Sequence, residues 1–251
     1  MALIAYDDAD AAAFEATRHL DEAALGGWRE AITRHAGPRP GRRLLDLGCG
    51  TGSWSRAFRS WWPGTEVVAV EPSAAMREHA VHQPILTGDA QRIPLDDASV
   101  DAVWLSTVIH HIPDLPGAAR EIRRVLKPGA PVLIRSAFAG RPEAITLFRY
   151  FPEAVAVLDR YPGVAEVEAA FAVAGFTTTG FEQVPQQTAA TLRDFAAGLR
   201  REAHTPLQLI DDEAYAAGVD RLHEAAGTME GPVIDALDLL VLRTEAGYSE
   251  A

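Results

Sequence analysis

The stretch LLDLGCGTG, residues 44–52, is an apolar run that ends in three glycines at alternate positions. The apolar part predicts a buried strand, and the glycines predict a turn that leads into a helix. Glycine has no Cβ and adopts positive φ readily, so a ligand can lie directly against the backbone of such a turn. The N–H groups at the start of the following helix face the same ligand. The stretch therefore predicts a ligand-binding turn.

Strand-like and helix-like segments alternate on both sides of this turn. The continuous run 67–70 is typical of a parallel strand covered on both faces. Further strands are predicted at 84–87, 99–106 and 131–135, and helices at 53–61, 73–82 and 115–126. This alternation predicts an α/β fold, a doubly wound and mostly parallel sheet with helices on both faces. Ligands of such sheets bind beyond the carboxyl ends of the strands.

The flanking segments differ in pattern. Residues 9–35 are predicted to be helical, with a break at Gly26-Gly27. From residue 140 the chain is aromatic and helix-prone, and it continues as a helix ending at Gly175, a strand at 176–184, helices at 188–201 and 211–226, and a strand at 233–242. These changes predict an N-terminal helical cover (1–36), a ligand-binding core (37–139), a cap insertion (140–163), the remainder of the core (164–243) with a helical insertion (188–230), and a tail (244–251).

Composition limits the class of protein. The 251 residues carry a formal net charge of −12, which argues against a nucleic-acid partner because such partners require a cationic surface. The single Cys49 cannot form an intramolecular disulfide, and no leader pattern opens the sequence. No apolar run approaches the roughly 20 residues that span a bilayer. We therefore expect a cytoplasmic protein without a membrane segment, either a monomer or a homodimer.

Two carboxylates follow the predicted strands after the turn. Glu71 ends the second strand, where a carboxylate accepts hydrogen bonds from the two hydroxyls of a ribose. Asp89 follows the third strand and suits the exocyclic amine of an adenine. The glycine spacing does not fit the dinucleotide pattern G-x-G-x-x-G, whose third glycine would fall at Ser53. A nicotinamide-dependent oxidoreductase remains an alternative, but the spacing and Asp89 count against it.

These blocks resemble the class I S-adenosylmethionine-dependent methyltransferases of the small-molecule type, of the kind called UbiE or methyltransferase type 11. The resemblance covers about residues 40–136, through LDLGCGTG (45–52), VEPS (70–73) with Met76, GDA (88–90) with IPL (93–95), VD (100–101), residues 106–112 and RVLKPG (124–129). It implies a Rossmann-like sheet of seven strands, the last of which, 233–242, inserts antiparallel between the fifth and the sixth. It also implies S-adenosyl-L-methionine as the cofactor and S-adenosyl-L-homocysteine as its product.

The resemblance also implies roles for residues near the methionine part of the cofactor. Gly48, Gly50 and the backbone of Cys49 would face the methionine part. Asp46 would orient the turn, or the amino group through a water molecule. Ser106 would offer its backbone carbonyl to the methionine ammonium.

Other residues would contact the adenosine. Glu71 would bind the ribose hydroxyls, and Asp89 with the Ala90 N–H would read the adenine. Pro72 and Met76 would flank the adenine ring.

Tyr6 and Arg18 precede the core, where related enzymes use an N-terminal helix to cover the cofactor. Arg18 would bind the cofactor carboxylate in bidentate fashion; a solvent-facing amphipathic helix is the alternative for this segment.

His110 and His111 are the candidate general bases, because they follow the fourth strand where the methyl group should point. Alternatively they are loop residues that cap the next helix. Adjacent histidines point apart and the sequence places no third ligand beside them, so no metal site is predicted. The aromatic stretch 148–151 is either the core of the cap or an apolar wall around the substrate.

The predicted function is methyl transfer to a small-molecule acceptor, a secondary metabolite or a quinone-like compound. Three alternatives stay open: a non-methylating rearrangement or cyclisation on the same fold, the oxidoreductase named above, and a regulatory binding module.

Overall fold

The computed structural model describes residues 22–245, whose centre is one seven-stranded sheet in the order β3-β2-β1-β4-β5-β7-β6. The strands are β1 (Arg43–Leu47), β2 (Glu66–Val70), β3 (Ile85–Leu86), β4 (Ala102–Ser106), β5 (Pro131–Ser136), β6 (Phe176–Ala189) and β7 (Val233–Thr244). The helices of the core are α1 (Gly26–Ala36), α2 (Ser53–Trp61), α3 (Ala74–Glu78), α4 (Leu115–Val125) and α7 (Val164–Ala172).

Strand β1 occupies the point where the chain changes direction across the sheet. It pairs in parallel with β2 on one side and with β4 on the other, so that Asp46 lies between Ala69 and Trp104. Connections diverge above such a switch point and leave a crevice at the carboxyl ends of the strands. The glycine turn, which follows Leu47 directly, lies in that crevice.

Alternate residues of β1 enter two different hydrophobic cores, as the period of a strand requires. Leu45 packs on the face that α4 and α7 cover, with Ile122 and Phe171. Leu44 packs on the opposite face in a cluster of aromatic side chains, to which α1 contributes Trp28, α2 contributes Trp54, Phe58 and Trp61, the residue after α2 contributes Trp62, and β4 contributes Trp104. Both faces are covered, so the predicted doubly wound sheet is confirmed.

The last strand is antiparallel, as predicted. Strand β7 pairs with β5 (Leu133 opposite Val241) and with β6 (Phe181 opposite Leu240), both in antiparallel register. The pairing of β5 with β7 ends at Ser136, whereas β6 and β7 remain paired as far as Ala189. The two strands therefore extend beyond the sheet as a hairpin arm on the side of the crevice.

A cap of short helices packs around this arm. Its helices are α5 (Thr146–Tyr150), α6 (Val155–Leu158), α8 (Leu192–Gly198), α9 (Thr205–Gln208) and α10 (Asp212–Ala226), and it also contains the 3-10 helices Pro152–Ala154 and Arg201–Ala203. Both cap segments share one hydrophobic cluster, in which Phe151 and Leu207 are fully buried. Arg141, where the first segment begins, makes a bidentate ion pair with Asp238 of β7, with N–O distances of 2.6 and 3.0 Å.

Several predicted boundaries were wrong. The predicted break at Gly26-Gly27 coincides with the start of α1 at Gly26, which the 3-10 turn Glu22–Leu25 precedes; other boundaries differ more. Helix α3 is five residues long rather than spanning 73–82, and β6 continues five residues past the predicted end at 184. Tyr6 and Arg18 lie outside the described residues. Within residues 22–245, no helix is long and apolar enough to cross a membrane.

Candidate active site

The glycine turn holds bare backbone at the carboxyl end of β1. Gly48, Gly50 and Gly52 have φ values of 70°, 58° and 84°, in the left-handed region that favours glycine. A Cβ on Gly48 would lie 2.4 Å from Val108 Cγ2, so the turn also packs too closely against the loop after β4 for any side chain. The N–H groups of Gly48 and Cys49 both donate to the Val70 carbonyl, which fixes the turn to β2.

Glu71 joins this turn to the end of β2. Its carboxylate accepts hydrogen bonds from the backbone N–H of Gly50 at 2.9 Å and of Ser73 at 2.8 Å. The side chain is only 7% exposed, and this burial raises the pKa of Glu71 although the two backbone donors oppose the change. An acceptor group is thus held rigidly beside the turn.

Asp46 is a buried carboxyl beneath the same turn. Ser55 at the start of α2 donates its hydroxyl to Asp46 Oδ2 at 2.6 Å, whereas Oδ1 has no hydrogen-bond partner within residues 22–245. Burial raises the pKa of Asp46 to about 7; the Ser55 hydrogen bond opposes this rise and the nearby Glu71 charge adds to it. A cationic ligand above the turn would favour the ionised form of this carboxyl.

Cys49 is a packing residue of the turn. Burial raises the pKa of its thiol well above the usual range, and the charges of Asp46 and Glu71 act in the same direction. The thiol therefore stays protonated at neutral pH.

One cavity of about 1210 Å³ opens between the crevice and the cap. The core side is formed by the glycine turn, residues 71–76, residues 106–108 and the two histidines 110 and 111. The cap side is formed by side chains such as Phe148, Phe195 and Leu199. Sites for a single small ligand are usually about 300–1000 Å³. The volume is thus sufficient for a cofactor and a second small molecule side by side.

Most of the residues singled out in the sequence meet at this cavity. The lining includes Asp46, Gly48, Cys49, Gly50, Glu71, Pro72, Met76, Ser106, His110 and His111. Asp89 and Ala90 are not among the lining residues. The Asp89 carboxylate is exposed and accepts hydrogen bonds from the N–H groups of Gln91 and Arg92, so it closes the turn that follows β3.

The two histidines lie on the 3-10 helix Ile109–His111 at the end of β4. Their ring centroids are 4.1 Å apart with an angle of 46° between the planes. His110 also stacks on Tyr161 of the cap, at 3.9 Å and 5°. Within residues 22–245, no group of three or more His, Cys, Asp or Glu side chains is arranged to hold a metal ion.

Thr107, which precedes this helix in the cavity wall, has a strained backbone. Its φ is 54°, which is rare for a β-branched residue. The Thr107 N–H donates to the Arg135 carbonyl at 2.7 Å, and its hydroxyl donates to the Ser106 carbonyl at 2.7 Å. Such strain is typical of functional sites, where the surrounding structure holds it.

Arg135 and Gln186 form a polar group in the cavity wall to which the sequence motifs assign no role. Arg135 of β5 is buried, and its guanidinium lies over the rings of Trp28 and Trp54 at 4.9 and 5.4 Å. It donates to Ser106 Oγ and to Gln186 Oε1, which also accepts from the Trp28 indole. A charged residue inside an apolar strand was the available signal for Arg135, whereas Gln186 lay beyond the predicted end of its strand.

These features fit S-adenosylmethionine. The unpartnered Asp46 Oδ1 and the buried Glu71 suit a ligand that carries positive charge and a diol. Glycines at 48, 50 and 52 leave the backbone of the turn without side chains, so a ligand can lie directly against it. The residues present therefore fit the cofactor that the resemblance implies.

Comparison with known proteins gives the same assignment. Residues 45–134 match the family model described as a methyltransferase domain. The chain is 33% identical over 156 residues to a malonyl-[acyl-carrier protein] O-methyltransferase of Erwinia pyrifoliae, an alignment that covers 61% of this chain and 59% of that protein. It is 36% identical over 121 residues to the ubiquinone/menaquinone biosynthesis C-methyltransferase UbiE of Caulobacter vibrioides, with 42% and 48% covered. The chain thus spans about half to three fifths of the length of these relatives.

Solved structures share the fold over a longer part of the chain. A structure described as a methyltransferase assigned to an antibiotic biosynthesis pathway of Anabaena variabilis aligns with a TM-score of 0.67 and 23% identity, covering 86% of this chain and 96% of that one. The [4+2]-cyclase SpnF aligns with a TM-score of 0.60 and 20% identity, covering 92% and 84%. From the glycine turn, the sheet order and the family match together, we conclude that residues 45–134 form a class I S-adenosylmethionine-dependent methyltransferase domain.

Proposed function

We propose that this protein transfers a methyl group from S-adenosylmethionine to a small, largely apolar acceptor. The observation that carries the proposal is the shared cavity, in which the glycine turn of the core faces the side chains of the cap. The family match supports the donor, and the volume of about 1210 Å³ supports a second ligand beside it.

The chain itself would hold the cofactor. Glu71 would accept hydrogen bonds from the ribose hydroxyls, and the Ser106 carbonyl with Asp46 would face the methionine ammonium. Asp89 and the Ala90 N–H remain the proposed contacts of the adenine, with Pro72 and Met76 on its faces. Tyr6 and Arg18 remain proposed contacts from the N-terminal segment.

S-adenosylmethionine, when bound, supplies a methyl group that is already activated by its sulfonium. The protein therefore contributes mainly alignment and exclusion of water, and alignment is worth roughly 7–11 kcal/mol in well-oriented reactions. For an O–H or N–H acceptor, an imidazole nitrogen of His110 or His111 would take the acceptor's proton. A general base of this kind contributes typically about 10²- to 10⁴-fold.

The cap supports an apolar acceptor. The cap contributes a group of apolar side chains to its wall of the cavity, Ile145, Leu147, Phe148, Phe195 and Leu199, beside the polar side chains Asp194, His204 and Asp235. The two relatives are named for a quinone pathway and for a malonyl carrier protein. Alkylated hydroquinones are therefore the first acceptors to test, apolar secondary metabolites come next, and malonyl thioesters, which carry a carboxylate, serve as a charged comparison.

The test is formation of S-adenosylhomocysteine in step with product. The purified protein is incubated with S-adenosylmethionine and a panel of alkylphenols, alkylated hydroquinones and malonyl thioesters, and both products are followed by mass spectrometry. Acceptor-dependent S-adenosylhomocysteine supports the proposal. If calorimetry detects binding of NAD(P) but not of S-adenosylmethionine, the proposal is wrong.

A second candidate is a cyclisation or rearrangement in which the cofactor is not consumed. The [4+2]-cyclase SpnF has the same fold, and this supports the second candidate. Conversion of a substrate without S-adenosylhomocysteine would favour this candidate over methyl transfer.

A monomer or homodimer in the cytoplasm, and the five-segment division of the chain, remain proposals as well.

A further inference from the structure

Tyr161 and His110 join the cap to the core by a parallel stack. The two ring centroids are 3.9 Å apart and the planes differ by 5°. His110 follows β4 of the core, whereas Tyr161 lies between α6 and α7 and belongs to the hydrophobic cluster of the cap. Tyr161 is 6% exposed, so its ring is held by its own packing rather than by His110 alone.

We propose that Tyr161 is a positioning residue for His110. The Tyr161 ring fixes the plane of the His110 imidazole at the cavity wall and favours the protonated form of that imidazole. The inference rests on the proposed function, in which His110 takes a proton from the acceptor. A face-to-face aromatic ring restricts rotation of the imidazole and attracts the cation that forms when the proton arrives. The cap would thereby orient the base as well as enclose the acceptor.

Other charged or titratable groups near His110 must be separated from this effect. His111 lies next to it on the same 3-10 helix, with a ring centroid 4.1 Å away. The other such side chains in the described cavity wall are Asp46, Cys49, Glu71, Arg135, Asp194, His204 and Asp235. Substitutions of Tyr161 leave all of these in place, so a change in His110 reports on the stack.

The experiment compares Tyr161→Phe, which keeps an aromatic ring, with Tyr161→Leu, which removes it. Tyr150→Leu is the matched control, because Tyr150 is equally buried in the cap, at 6%, and does not line the cavity. The imidazole resonances of all eight histidines are followed by NMR between pH 5 and pH 9, and His110→Asn assigns the signal.

In the wild type and Tyr161→Phe, the His110 ring protons are expected to be shifted upfield by the stacked ring. In Tyr161→Leu that shift disappears, and the titration midpoint of His110 falls by about half a pH unit, a roughly threefold loss in proton affinity. Tyr150→Leu leaves both unchanged. A wild-type shift and midpoint in Tyr161→Leu would overturn the inference.

Turnover separates this inference from the proposed function. With an acceptor that the wild type methylates, Tyr161→Leu is expected to lose at least tenfold in kcat at unchanged KM for S-adenosylmethionine, and Tyr161→Phe less than threefold. Equal kcat in all three proteins would contradict the inference and leave the proposed function standing. Substrate conversion without S-adenosylhomocysteine would contradict the proposed function, and with it the base role of His110.

Discussion

The Glu71 carboxylate accepts a hydrogen bond from the backbone N–H of Gly50, with an O–N distance of 2.9 Å. This bond ties the end of β2 to the middle of the glycine turn, beside the switch point of the sheet. The Glu71 side chain therefore has two effects. It orders the turn, and it places a hydrogen-bond acceptor beside the turn. Loss of Glu71 should therefore reduce cofactor affinity through both effects.

Glu71→Ala is expected to weaken binding of S-adenosylhomocysteine by tenfold or more, which corresponds to at least about 1.4 kcal/mol. Titration calorimetry measures this directly. Glu66→Ala is the matched control, because Glu66 begins the strand that Glu71 follows, and its side chain is 62% exposed and pairs with Arg43 at the surface. Equal affinities in both variants would show that Glu71 does not contact the ligand.

Asp89→Ala tests the adenine contact, which stays a prediction because Asp89 does not line the cavity. If the carboxylate accepts from the exocyclic amine, the substitution should weaken S-adenosylhomocysteine by about tenfold. The same substitution should not affect S-inosylhomocysteine, which lacks that amine. An equal loss for both ligands would assign Asp89 to the turn it closes with Gln91 and Arg92 instead.

Asp46 should make the free energy of unfolding depend on pH with an unusual sign. Its pKa is about 7 in the folded protein, against a reference value of 3.8, because it is buried. Between about pH 4 and pH 7 the unfolded chain loses this proton while the folded protein keeps it, so stability falls as pH rises through this window. Below it both states are protonated, and above it both are ionised.

Asp46→Asn should abolish this dependence, which amounts to as much as about 4 kcal/mol. Urea unfolding at several pH values from 2 to 8 measures it and covers the titration of the control as well. Asp101→Asn is a control of opposite sign: although partial burial opposes it, the hydrogen bonds from Lys127 and the Arg43 N–H lower the pKa of Asp101. Its stabilisation is present above pH 4 and lost on acidification. Parallel wild-type and Asp46→Asn curves would contradict the predicted pKa.

The core of this fold was predictable because its signals are local. The run 44–47 reads as a buried strand, and glycines 48, 50 and 52 are required where φ is positive. Alternating strands and helices then predict a mostly parallel sheet covered on both faces, whereas the inserted antiparallel β7 was implied by the family resemblance. The turn and Glu71 were therefore located correctly from the sequence.

The cap was not predictable in the same way because tertiary contacts determine it. Residues 185–189 carry a proline and two glutamines, which do not favour a strand, yet they pair with β7. The proline is tolerated because β6 is an edge strand, whose outer side forms no ladder hydrogen bonds. The contact between Tyr161 and His110 joins residues that are far apart in sequence, and no motif marks it. Arg135 lies in an apolar strand whose pattern gives no indication of the tryptophans around its guanidinium.

Gly218→Val should separate the cap from the cofactor site. A Cβ at Gly218 would lie 2.1 Å from the Phe151 ring, so valine forces α10 away from the centre of the cap cluster. Overpacking of this kind costs typically about 1–3 kcal/mol. Because Phe151 and Gly218 do not line the cavity, affinity for S-adenosylhomocysteine should stay within threefold of wild type while acceptor turnover falls at least tenfold.

Ala216→Val makes a comparable enlargement on an exposed position of the same helix and should change neither quantity. A parallel loss of cofactor affinity in Gly218→Val would mean that the cap also holds the cofactor.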